Sequence, residues 1–228
     1  MVSAAEASRT ALLAGATGLI GRALLPLLLL STRYEAVHVL VRRPLADVAP
    51  APKLQVHVVD FTKLQAAPPQ VDDVYIALGT TIKVAGSEAA FRLVDFDFVV
   101  NTARAAKAAG ARRLAVVSAM GADATSRVFY NRVKGDMQAA LAQLEFESLS
   151  IAQPSLLVGD RAALGQPVRA GEVWVTRLLS PVMRLVPAGV RPIRADAVAH
   201  ALLAANLAGR PGVHMLTSAA MQQAGASA

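Results

Sequence analysis

The sequence predicts a three-layer α/β fold: a doubly wound parallel sheet with helices on both faces and a small cap toward its C-terminus. Two observations predict it. Short apolar runs alternate along the chain with longer helical patterns, the order that builds βαβ units and parallel sheets. The composition is the second. Hydrophobic residues make up 54% of the 228 and aromatics only 4%, so Ala, Leu and Val must build a core of strands covered on both sides. That length suits a single domain around one core.

The first strand, Thr10–Ala14, runs into Gly15-Ala16-Thr17-Gly18-Leu19-Ile20-Gly21, and an apolar helix follows to Leu30, interrupted only by Pro26. Further strands are expected near Ala36–Val41, Leu54–Val59, Val74–Leu78, Arg113–Val117 and Ser148–Gln153. A long helix is expected from Ser87, a capping residue, to about Ala109, with Gly110 as terminator. Another is expected from about Thr125 to Leu144. After Pro154 the pattern changes. Gly159, Gly165, Pro167 and Gly171 mark a loop, and a helix of about Val173–Leu185 follows, broken by Pro181. Then come an extended piece, Val190–Ile193, a last helix, Asp196–Leu207, and an edge strand, Val213–Leu216. Residues of about 155–216 are too few for an independent domain and are expected to fold over the main cleft as a substrate-side cap. The closing Gln222–Ala228 is small and polar and is expected to fray.

Composition removes several function classes. There is no cysteine, which excludes disulfides, thiolate catalysis and Cys-ligated metal. The histidines, His38, His57, His200 and His214, lack paired ligand spacing, so no metal site is expected. The net charge of +7 comes mostly from dispersed arginines, without a basic tail or a nucleic-acid module, so no nucleic-acid partner is expected. The cations suit either a solvated surface or attraction of phosphorylated ligands to a cleft. No stretch reaches the roughly 18 apolar residues of a membrane span, and Met1–Thr10 has no apolar signal core. The expected location is cytoplasmic.

The glycine turn carries the first chemistry. Gly15 lets the strand end bend, Gly18 removes a side chain that would block a pyrophosphate, and Gly21 lets the helix lie against the strand. The helix start then presents N–H groups and a positive dipole end to an anion, with Thr17, Leu19 and Ile20 in the same turn. A tight structural turn would use the same glycines. About 20 residues further on, an NAD site usually carries an acid for the ribose 2′-OH. Here the second strand ends in Arg42-Arg43, whose guanidinium groups match a 2′-phosphate. NADP(H) is therefore favoured over NAD(H), with solvated loop arginines as the alternative.

Asp60-Phe61 ends the third strand, where an Asp can accept from an adenine amine or simply cap a turn. Leu78-Gly79-Thr80-Thr81 ends the fourth, and Gly79 would let the backbone pass under the cofactor's ribose and diphosphate.

The strongest constellation is Ser118 with Tyr130 and Lys134. Ser118 closes the fifth strand, at the carboxyl edge where doubly wound sheets bind ligands. Tyr130 and Lys134 stand four apart, on one face of a helix. A free phenol, with pKa ~10, is a poor acid or base near neutrality, and a nearby ammonium favours the phenolate. Lys134 can also hydrogen-bond the nicotinamide ribose, and Ser118 can polarise a substrate carbonyl.

As a set, Gly15-x-x-Gly18-x-x-Gly21, Ser118 and Tyr130-x-x-x-Lys134 resemble the short-chain dehydrogenase/reductase superfamily and its Rossmann fold. Leu78–Thr81, Val94-Asp95, Ala105–Gly110, Ser118–Asp123 and Val133–Gly135 are similar to an atypical, NADPH-binding branch. That branch contains Tat-interacting-protein-like and nucleoside-diphosphate-sugar-epimerase-like chains. The resemblance covers about Thr10–Asp160 and continues more weakly to Leu216. It implies Tyr130 as catalytic acid/base, Lys134 as its helper and Ser118 as the carbonyl-orienting hydroxyl. It also brings Pro154, Ser155 and Leu157 near the nicotinamide. Sugar epimerases of full length have a larger C-terminal substrate domain, so epimerisation is not expected.

Two functions remain open on these residues. One is an NADP(H)-dependent oxidoreductase acting on a small carbonyl or alcohol. The other is an NADPH-binding regulatory or partner-binding protein with little turnover. No stretch marks an oligomer interface, which leaves monomer and homodimer both open.

Overall fold

The centre of the sheet is β1 (Arg9–Ala14), buried from Thr10 onward because five residues in succession lack a solvated face. The computed structural model describes residues 8–45, 50–64, 66–68, 70–158 and 189–226. In chain order these form β1, α1 (Leu19–Leu30), β2 (Tyr34–Val41), β3 (Leu54–Val58), β4 (Asp73–Ile76), α2 (Ile82–Ala85) and α3 (Glu88–Arg92). One π-helical turn, Leu93–Asp97, then leads into α4 (Phe98–Ala108), β5 (Arg113–Val117), α5 (Phe129–Ala142) and β6 (Ser148–Gln153). The order closes with β7 (Leu157–Val158), β8 (Ile193–Arg194), α6 (Ala195–Ala208), β9 (Gly212–Thr217) and α7 (Ser218–Ala226).

Seven strands form one sheet in the order β3-β2-β1-β4-β5-β6-β9, and every pair is parallel. Chain order reverses between β1 and β4, which opens a crevice at their carboxyl ends. The side chains of β1 alternate between two cores. Ala11 and Leu13 meet α1 and α6 on one face, through Leu24, Leu28, Val198 and Leu202. Leu12 and Ala14 meet α4 and α5 on the other, through Val99, Ala103, Met137 and Leu141. Leu12, Leu13 and Leu24 are completely buried, each contributing about 2 kcal/mol relative to exposure. This is the doubly wound Rossmann arrangement.

The amino edge of the sheet holds a closed polar cluster. Asp73, fully buried at the start of β4, takes Arg9 at 3.0 Å on one carboxylate oxygen and Arg113 at 3.1 Å on the other. The Tyr34 hydroxyl donates to Asp73 at 2.8 Å and lies 2.7 Å from the Tyr75 hydroxyl. Burial, then the neighbouring Tyr75 and Asp73, push the Tyr34 phenol far above its ordinary value, and burial also raises Tyr75. Both stay neutral. Asn206 of α6 reaches into the same region and donates to the Val74 carbonyl at 3.4 Å.

Several elements differ from the sequence reading. The helix read over Ser87–Ala109 is continuous but contains the π-helical turn, with Ser87 capping it through a bond from Ala90 N. Gly110, at φ +100°, ends it as expected. The helix expected from Thr125 begins at Phe129, because Asp123 and Ser126 bond the N–H groups of Thr125 and Val128 and hold this stretch in turns. Gln222–Ala226 does not fray: it lies in α7, where Gln222 bonds the Arg191 carbonyl at 3.2 Å. The loop Gly159–Gly171 and the helix Val173–Leu185, both read as parts of the cap, lie outside the described residues. Of the same segment, Ile193–Thr217 contributes β8, α6 and β9, and β9 extends the main sheet beside β6.

Candidate functional site

The glycine turn lies at the crevice between β1 and β4. Gly15 adopts φ +96°, and a Cβ there would stand 2.5 Å from the Ala77 carbonyl, so only glycine fits. A Cβ on Gly21 would stand 2.0 Å from the Gly15 carbonyl oxygen, which fixes how closely α1 approaches β1. Gly18 is different. A Cβ there would make only ordinary contacts, 3.5 Å to Gly15 O and 3.8 Å to Ala77 O, and its backbone is extended at φ −80°. Nothing in the protein requires glycine at that position, whereas a phosphate approaching the backbone would. Gly18 precedes α1 without a side-chain cap, and the first turn carries no acid. The N-terminal N–H groups and dipole are thus available to an anion, and the residues fit a dinucleotide. Thr17 is exposed, while Ile20 is buried in the core and can offer only its backbone.

Arg42 and Arg43 follow β2 into solvent, and neither makes an ion pair or hydrogen bond with a described residue. At the end of β3, Asp60 Oδ1 accepts from both the hydroxyl and the N–H of Thr62, at 2.6 and 2.9 Å. Those bonds hold its carboxyl below the usual carboxylate range. Phe61 is buried and stacked on Phe98, ring centres 5.6 Å apart, so its side chain is core. After β4, Leu78 packs on the core and Thr81 caps α2 by accepting from Val84 N.

Tyr130, Lys134 and Gln138 rise one turn apart on the same face of α5. The Tyr130 ring, half-buried, packs on buried Phe91 of α3 with ring centres 5.3 Å apart. An Arg92–Asp136 pair at 3.1 Å ties α3 to α5 beside it. Lys134 is buried against Asp95, with Nζ 2.7 Å from Oδ1. The contact is one of charge, since Asp95 Oδ1 takes no directed hydrogen bond, while Oδ2 accepts from Thr80 N at 2.8 Å. Gln138 Nε2 donates to Ser118 Oγ at 2.6 Å, and Gln153 Nε2 donates to Gln138 Oε1 at 3.4 Å. Ser118 therefore stands at the end of β5 against the α5 face that carries Tyr130 and Lys134.

The segment after β6 closes on the same place. Ser118 N donates to Ala152 O at 2.7 Å and Met120 N to Pro154 O at 3.0 Å. Ser155 Oγ bonds the Arg191 carbonyl and lies 2.9 Å from Ser218 Oγ, so its hydroxyl holds the chain end in position. Leu157 lies in β7, paired with Ile193 of β8. Asp95 and Gln138 were not singled out from the sequence as site residues. Gln138 had a signal, being four residues beyond Lys134 on the same helical face. Asp95 had none, because its aim is set by the π-helical turn. Among the described residues no group of three or more metal-ligating side chains occurs. No described helix is long and apolar enough to cross a membrane.

Residues 15–149 match the NAD(P)H-binding protein family, more than half of the chain. The chain is an atypical short-chain dehydrogenase/reductase of that family, HTATIP2-like. Protein HTATIP2 of Rattus norvegicus is 36% identical over 174 residues, covering 75% of this chain and 69% of the relative. The mitochondrial protein FMP52 of Eremothecium gossypii is 38% identical over 151 residues, covering 66% and 67%. An oxidoreductase of the short-chain dehydrogenase/reductase family from Burkholderia thailandensis shares the fold at TM-score 0.69 and 18% identity, covering 95% of this chain and 94% of its own. MoeE5, solved with UDP-glucose and NAD, shares it at TM-score 0.66 and 15% identity, covering 90% and 74%. This dehydrogenase/reductase therefore has an NAD(P)-binding, oxidoreductase-like fold, and its cofactor class is a nicotinamide dinucleotide. One expectation is corrected. The FMP52 relatives are named as mitochondrial, which overturns the cytoplasmic location read from the sequence.

Proposed function

We propose that the chain is an NADP(H)-dependent oxidoreductase that interconverts a small carbonyl and its alcohol. The observation that carries this reading is the α5 face, which turns Tyr130 and Lys134 toward the β5 end and holds Ser118 there through Gln138. The glycine turn lies across the crevice. The nicotinamide supplies or accepts the hydride; the remaining work falls to the protein. Ser118 Oγ, whose lone pair already accepts from Gln138, keeps its own proton to donate to a carbonyl oxygen. Tyr130 Oη transfers a proton to that oxygen as it gains negative charge, and recovers one when the alcohol is oxidised. Lys134 holds the nicotinamide ribose and places positive charge beside the phenol.

Preference for NADP(H) rests on Arg42 and Arg43, two cations without partners among the described residues, at the strand end where a ribose 2′-phosphate would lie. The expected partner is a small-molecule substrate alone. The test combines a binding titration of NADPH and NADH with turnover on a panel of carbonyls. Replacing both arginines by Ala should lower NADPH affinity to the NADH level. Tyr130→Phe should keep NADPH affinity and lose roughly a hundred- to ten-thousand-fold in kcat. NADPH bound tightly, with no carbonyl turned over, would favour the regulatory protein.

A further inference from the structure

We infer that Asp95 is a positioning residue for the nicotinamide half of the cofactor site: its carboxylate fixes Lys134 and the loop after β4 to one point. The inference rests on the cofactor reading above and goes beyond it in assigning a role to a residue outside the Ser118, Tyr130 and Lys134 set.

Three observations carry it. Asp95 and Lys134 are both almost wholly withdrawn from water, their side chains 1% and 4% exposed, with 2.7 Å between Nζ and Oδ1. A lone buried ammonium is costly, and a counter-charge at contact distance compensates it. The second oxygen of the same carboxylate accepts from Thr80 N, so one side chain joins α5 to the strand end that would run beneath the ribose. A Cβ on Gly79 would stand 3.4 Å from Asp95 Oδ1 and 3.9 Å from Lys134 Nζ. The pair therefore lies directly beneath a stretch of backbone without a side chain.

The third observation is how Asp95 is delivered. It lies in the π-helical turn Leu93–Asp97, between two α-helical stretches. A π-turn inserts a residue into the helical register and rotates the helix beyond it, a distortion concentrated at functional sites. The interruption coincides with the carboxylate that Lys134 needs. Its Oδ1 receives no directed hydrogen bond although it is buried, which leaves it able to accept one from a ribose hydroxyl engaged by the same lysine.

The test compares NADPH with ADP, which shares the adenine and diphosphate but has no nicotinamide ribose. Asp95→Asn removes the charge while keeping an oxygen for Thr80 N. Asp95→Glu keeps the charge and moves it by one methylene, and serves if the first variant does not fold. Both should weaken NADPH on the order of tenfold or more and leave ADP affinity unchanged. Equal NADPH affinity in wild type and variants overturns the inference. So does an equal loss of both ligands, which marks a structural residue. A wild-type chain that binds neither overturns the cofactor site itself, and the role of Asp95 with it.

Discussion

The two edges of the sheet spend polar groups in opposite ways. At the amino edge, charge is closed on itself. Asp73 gives each carboxylate oxygen to an arginine, and Tyr34 and Tyr75 bond one another beside it. At the carboxyl edge, valence is left open. The α1 N-terminus is uncapped, Gly18 withholds a side chain that the fold would tolerate, and Arg42 and Arg43 face water. Buried polar groups that are satisfied within the chain specify packing, while those held in readiness specify a ligand. Asp95 with Lys134 is the instructive exception: a closed ion pair at the open edge, aimed by a distorted helix.

The largest test breaks the closed edge. Asp73→Ala leaves two guanidinium groups and a buried phenol without their shared acceptor. It should cost about 3 kcal/mol or more in denaturant unfolding, with cofactor affinity of the folded protein preserved. A comparable fall in affinity would erase the distinction between the edges. Gly18→Ala probes the open edge. Its extended backbone and ordinary neighbour distances allow a methyl, so the unfolding free energy should change by about 1 kcal/mol at most. NADPH affinity should nevertheless fall about tenfold or more, since the methyl stands where the diphosphate must approach. Full affinity in this variant would remove the reason for a glycine there.

The smallest effect belongs to the flank of the sheet. His38 Nδ1 and His57 Nε2 lie 2.9 Å apart on β2 and β3. Burial, and then the charge of His57, lower His38 from its ordinary value of 6.5. A histidine depressed in the folded state is protonated first in the unfolded chain. Its stabilising contribution is therefore complete above the unfolded value and declines as pH falls from there toward the folded one. Unfolding followed from pH 7.5 to pH 5 should show that decline, and His38→Leu should flatten it. An unchanged slope would mean that the pair does not govern the acid response.

Much of the fold was legible in the residues because parallel strands buried on both faces read as apolar runs. Arg113–Val117 and Ser148–Gln153 match their strands to the residue. The amino edge was not legible, since Arg9, Asp73 and Arg113 begin three different strands and meet only once the sheet is ordered. The π-helical turn was hidden as well: Glu88–Ala108 has the composition of an unbroken helix, and the inserted residue answers to Lys134 across the fold. At the site, spacing disclosed Tyr130 with Lys134 and the glycine turn. The hydrogen bond from Gln138 to Ser118 needed the helix and the strand end in place.

The outermost strand has a consequence in time. β9 pairs along its whole length with β6, from Ser148↔Gly212 to Gln153↔Thr217, yet it follows β6 only after a long crossover. Domains are made from the amino terminus onward, and pairings distant in the chain form late. While the chain is being synthesised, β6 is therefore a temporary border, its N–H and C=O groups on one side unpaired. Arrival of β9 ends that exposure, so the last part of the molecule to be made seals its sheet against pairing with a neighbour.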